Sequence, residues 1–162
     1  MELLGRINRR KIYYVQVRNN PEWKSKLPNN DWVAFTIANK EDEEMAPVVV
    51  NTCIDNNISY ACCAGNLASR TEVYFDEELS WRSIDNEVQM KEISDDKNTL
   101  MTTAHRNLAE GFWFASVVAN DNNFDIDKVV CIDMTKLKVR NELLDLIGKI
   151  NNGWLPEDKV FL

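Results

Sequence analysis

Residues 32–37 read WVAFTI, a run without charge whose side chains are apolar or β-branched at both odd and even positions. Successive side chains of a strand point to opposite faces, so this run can be buried only if both faces of its sheet are covered. Working outward, residues 12–17 (IYYVQV), 59–64 (SYACCA) and 128–133 (KVVCID) have the same character, and residues 99–103 (TLMTT) read as one more strand. The segments between them carry helical spacing. One helix holds Val49, Cys53 and Ile54, with Pro47 in its first turn and Glu41-Asp42-Glu43-Glu44 at its N-terminus. A second places Leu67, Tyr74, Trp81 and Ile84, with Val73 beside them, toward the core. A third carries Leu108, Phe112, Ala115 and Val118, and a last one Val139, Leu143, Leu146, Ile147 and Ile150 before Gly153. Doubly apolar strands alternating with helices predict an α/β fold: a three-layer sandwich around a mostly parallel sheet of about five strands, Rossmann-like or flavodoxin-like. Residues 1–162 are expected to form a single domain, with a loop over 85–97 and a tail from residue 154 that docks on the body.

The 162 residues contain only 5 Gly, 4 Pro and 4 Cys, which excludes collagen-like, low-complexity and disulfide-scaffold classes. Nineteen basic and twenty-six acidic side chains give a formal charge of -7. The acids concentrate in residues 31–104, whereas residues 1–30 are net positive. An acidic middle disfavours nucleic acid, whose phosphates need cations, and suits a basic protein partner or plain solvation. No apolar run approaches a membrane span and no signal peptide is visible, so a cytoplasmic protein with reduced, buried Cys53, Cys62, Cys63 and Cys131 is expected.

In an open parallel sheet, ligands bind beyond the C-terminal ends of the strands. That rule selects Asn39-Lys40, residues 63–66, residues 102–105 and residues 133–135. Cys63, His105 and Asp133, or Asn39 in place of the aspartate, are the residue types of a thiol nucleophile, its base and an orienting group. Each also has a structural reading: Cys63 as a small buried hydrophobe, His105 as a packing or capping residue, and Asp133 as an acceptor for amides at its strand end or for the turn at Thr135. Neither a cofactor nor a metal is expected. Gly65-Asn66-Leu67-Ala68-Ser69 lacks a phosphate-loop fingerprint, and Asp121, Asp125 and Asp127 lack the glycine and closing glutamate of a calcium loop. Arg9-Arg10-Lys11 reads as a solvated guard on a sheet edge.

The stretch from residue 60 to 133 resembles a family of small bacterial α/β domains of uncharacterised activity. The matching residues are Tyr60-Ala61-Cys62, Gly65, Phe75-Asp76-Glu77, Met101-Thr102-Thr103 with His105, and Ala109-Glu110 through Phe112-Trp113-Phe114; Ala104 stands where that family commonly has an aromatic. The resemblance implies a bacterial cytosolic origin and the same fold, and it assigns no catalytic residue.

Two functions follow as expectations. The first is an acidic binding protein of the immunity or antitoxin kind, occluding a basic toxin such as a nuclease through Glu72, Asp76, Glu77 and Glu78 on one helix and Glu41, Asp42, Glu43 and Glu44 beside another. The second is a small enzyme or nucleotide-responsive domain using Cys63, His105 and Asp133 in the strand-end crevice.

Overall fold

The computed structural model describes residues 1–85, 100–121 and 125–157. Six strands form one sheet: β1 (Glu2–Ile7), β2 (Arg10–Gln16), β3 (Trp32–Ile37), β4 (Tyr60–Ala64), β5 (Met101–His105) and β6 (Lys128–Asp133). Among the described residues four helices accompany them: α1 (Ala46–Asp55), α2 (Ala68–Asp85), α3 (Leu108–Trp113, continued by a π-helical turn over Phe114–Val118) and α4 (Arg140–Asn151). The predicted loop beyond residue 85, the start of β5 at Thr99 and the end of the tail from residue 158 lie outside the described residues.

The spatial order is β1-β2-β6-β3-β4-β5, and every pairing is parallel except the β1–β2 hairpin. Two expectations change here. The sheet has six strands, because residues 2–7 add an antiparallel edge that the sequence reading left unassigned. The order is also neither the 3-2-1-4-5-6 of the Rossmann fold nor the 2-1-3-4-5 of flavodoxin. The last strand in the chain, β6, is inserted between β2 and β3.

The doubly apolar strands are covered on both faces. Ala34 of β3, Ala61 and Cys63 of β4, and Val130 and Ile132 of β6 pack with Val49, Val50 and Cys53 of α1 and Phe75 of α2. Val33 and Phe35, Cys62, and Val129 and Cys131 face the other way, against Phe112 and Ala115 of α3 and its π-helical turn and Leu143 and Ile147 of α4. The Phe35 and Phe112 rings lie 5.7 Å apart in a tilted pair, a geometry favoured by the ring quadrupoles.

Three local readings are corrected. Glu41, Asp42, Glu43 and Glu44 do not open α1; they form a separate 3-10 turn over Lys40–Met45, where the Asp42 carboxylate accepts from the Asn39 amide at 2.8 Å. On α2 the core is reached by Ala68, Thr71 and Phe75, whereas Trp81 and Ile84 are 64% and 62% exposed. Arg10 is not an edge guard, because β1 covers β2. Its buried guanidinium donates to the carbonyls of Ala115, at 2.8 Å, and of Ala119. It thereby satisfies backbone acceptors at the end of α3's π-helical turn, where the helix dipole favours a cation.

Candidate functional site

The middle of the strand-end rim is filled. Asp133, at the end of β6, is fully buried and accepts four hydrogen bonds: from Tyr14 Oη at 2.7 Å, the Thr135 amide at 2.9 Å, Thr135 Oγ1 at 2.7 Å and the Val139 amide at 3.0 Å. A carboxylate offers about four lone-pair sites, so none remains for a substrate. The expected roles at the strand end and the Thr135 turn are both present. Around it, Gln16 donates to the Thr135 carbonyl at 2.9 Å. Arg18 donates to the Met134 carbonyl at 2.9 Å and to the buried Asp42 carboxylate at 2.5 Å. Burial and the Asp133 carboxylate both push the Tyr14 phenol up, which keeps it a donor.

The three residues of the expected thiol site are not brought together. Cys63 is the Cα partner of Ala104, and His105 the partner of Ala64, so the thiol and the imidazole leave opposite faces of the sheet. Asp133 shares a face with His105 but stands three strands away, about 14 Å at the usual strand spacing. The alternative orienting group, Asn39, is used elsewhere: its Oδ1 accepts from the Asn66 amide at 3.2 Å while Asn66 Oδ1 accepts from the Lys40 amide at 2.6 Å. All four cysteines are free and buried. Burial pushes every thiol up, that of Cys62 to about 12, so none is nucleophilic in the folded protein.

His105 has other partners. Its Nδ1 lies 2.8 Å from Glu110 Oε2 and its Nε2 2.8 Å from Thr103 Oγ1. With the carboxylate ionised, Nδ1 carries the proton and donates to Glu110, leaving Nε2 to accept from the Thr103 hydroxyl. The ring is held by packing as well. Phe114, in the π-helical turn, lies 5.0 Å away between ring centroids, and a Cβ at Gly111 would sit 3.0 Å from His105 Cβ. Asn107 sets Glu110 in place by capping α3, accepting from the Ala109 amide at 2.8 Å and the Glu110 amide at 3.1 Å. The sequence reading missed Thr103 and Glu110 as partners. The signal was Asn107 followed three residues later by Glu110, a helix-start pattern that puts the carboxylate one turn in, back toward the strand end.

A cavity of about 380 Å³ adjoins this cluster, lined by Gly65, Asn66, Ala68 and Ser69 on one side and Ala104, His105 and Arg106 on the other. It lies where the chain leaves β4 for α2 on one face and β5 for α3 on the other, the switch point at which open parallel sheets leave a crevice. Gly65 is required there: its φ is +92°, and a Cβ would meet the Ala38 carbonyl oxygen at 2.1 Å.

The expected partner-binding acids are placed unevenly. Asp42 is buried and paired, so it leaves that set. Glu41, Glu43, Glu44, Asp76 and Glu77 are exposed, and Glu72 and Glu78 partly so. Glu43 accepts from Tyr74 Oη at 2.9 Å, joining the 3-10 turn to α2. Glu78 pairs with Arg82 at 2.9 Å, and Asp76 accepts from Thr102 Oγ1 at 3.1 Å. Burial, then the nearby Asp76 charge, raise the Glu72 carboxyl above its ordinary value. Among the described residues no group of three or more His, Cys, Asp and Glu is arranged to hold a metal, and no helix is long and apolar enough to cross a membrane.

A family model described as a domain of unknown function, DUF7684, matches residues 12–150. The chain belongs to this family. The DUF7684 match runs from β2 into α4 and includes the Thr103–His105–Glu110 cluster, whereas β1 falls outside it. No activity is assigned to DUF7684, in agreement with the resemblance carried by residues 60–133. No curated protein and no solved structure matches the chain.

Proposed function

We propose that the protein is an acidic binding protein of the immunity or antitoxin kind, which neutralises a basic protein partner by covering its working surface. The observation that carries this reading is the outer side of α2. There Trp81 and Ile84 are more than half exposed and Val73 is 39% exposed, beside the exposed carboxylate of Glu77. An aromatic anchor with a carboxylate rim is the composition of an interface hot spot: the aromatic supplies affinity, and the acids steer a cationic partner and fix its register. Asp76 adds charge on the same helix, and Glu41, Glu43 and Glu44 add more across the Glu43–Tyr74 contact. On this reading the protein works in the bacterial cytoplasm, where its four buried thiols stay reduced.

The test is affinity capture from the native host, followed by titration of the captured basic protein with two variants. Trp81→Ala is expected to weaken binding by about 10-fold or more, the loss of a hot spot. Glu77→Lys is expected to slow association and flatten its salt dependence. Full affinity in both variants discards α2 as the contact surface.

A further inference from the structure

The Glu110–His105–Thr103 chain has the connectivity of a nucleophile, its base and an orienting carboxylate. We propose that it makes Thr103 an acyl-accepting nucleophile, independent of the binding role of α2. The geometry meets the two contacts such a site requires, hydroxyl to imidazole and imidazole to carboxylate, each at 2.8 Å. The ring cannot turn away, because Phe114 lies against it and Gly111 brings α3 up to its Cβ. Such a fixed imidazole, with its proton placed on Nδ1 by Glu110, is a preorganised base. Thr103 is partly exposed on β5, whereas the buried thiols are closed to reagents. Thr103 does not itself line the adjoining cavity, which on this strand is formed by its neighbours Ala104 and His105 and, beyond the strand end, by Arg106, an exposed cation. The substrate class is therefore a small ester or thioester whose acyl part carries a negative charge, received by Arg106.

In the forward step the Thr103 Oγ–H proton passes to His105 Nε2 while Oγ bonds to the acyl carbon. The bond from that carbon to the leaving oxygen or sulfur breaks, and the leaving group takes the proton from Nε2. Water then attacks the acyl-threonine, giving its proton to Nε2, and the threonine oxygen recovers one as the carboxylic acid departs. Glu110 remains ionised throughout and acts as a positioning residue.

The experiment uses the full chain with two probes, p-nitrophenyl acetate and mono-p-nitrophenyl succinate, reading the p-nitrophenol burst and locating the adduct by peptide mass spectrometry. Expected is a burst with an adduct on Thr103, faster with the succinate ester, and an Arg106→Ala variant that loses that preference. Thr103→Ser retains the adduct at residue 103, and Thr103→Val, equal in shape, loses it without loss of fold by circular dichroism. Glu110→Gln slows acylation by about 100-fold or more, within the range of general acid–base contributions. A burst unchanged in Thr103→Val, adducts confined to lysines, or no adduct on Thr103 with either ester in the folded protein overturns the proposal, and none of these results bears on binding through α2.

Discussion

Asp133 and His105 each end a parallel strand, face the same side of the sheet and are buried, yet they are finished differently. Asp133, on an inner strand, spends its acceptor capacity on four donors from β2, its own turn and the approach to α4. His105, on the outer β5, meets one hydroxyl and one carboxylate and lines a cavity. Position across the sheet makes the difference. An inner strand end is crowded by loops from both neighbours, which must have their amides satisfied, whereas an outer one has a neighbour on one side and leaves room. Polar burial at the first serves closure, and at the second it orients a reactive group.

Substitutions test this contrast in order of size. Asp133→Ala strands four donors, and each unmet buried group costs roughly 1–3 kcal/mol, so a loss of about 4 kcal/mol or more is expected in urea unfolding. A loss of the same size in His105→Ala would erase the distinction. Gly65→Ala forces a left-handed φ and a backbone clash with the Ala38 carbonyl at the cavity wall; a loss of about 2–3 kcal/mol is expected in urea unfolding. Trp81→Ala, by contrast, is expected to shift stability by no more than about 0.5 kcal/mol, as for surface positions generally. A larger loss would make Trp81 a packing residue and remove it from the proposed interface.

The smallest effect is a pH dependence at Glu72. Its folded-state carboxyl is raised above the ordinary 4.5 by burial and by Asp76. The folded protein therefore holds this proton more tightly than the unfolded chain, and ionisation costs stability as pH rises through the raised value. Glu72→Gln should be slightly more stable than the parent at pH 7, and the advantage should vanish below pH 4.5. A gain that persists in acid would point to packing instead of charge.

Much of the fold was legible because β2, β3, β4 and β6 carry apolar side chains on both faces, a pattern that only a covered parallel sheet can absorb. β1 escaped because Gly5 interrupts its pattern; the gap lets Ile147 of α4 approach, its Cγ2 lying 3.4 Å from where a Cβ at Gly5 would be. The buried face of α2 is not legible in its sequence, because small residues, Ala68 and Thr71, lead that side while the large Trp81 points outward. Of the candidate site, the sequence placed His105 on the right rim but chose Cys63 and Asp133 as partners. Residue type was available, but strand order and facing were not, and a one-residue step along β4 turns a thiol to the other side of the sheet.

The position of β6 bears on how the molecule is made. Strands β3, β4 and β5 can pair as they leave the ribosome, but the β1–β2 hairpin has no lasting place until residues 128–133 arrive to join it to them. The β1–β2 hairpin must wait for residues 128–133, and any translation product that stops before residue 128 would be left with two unmatched hydrogen-bonding flanks.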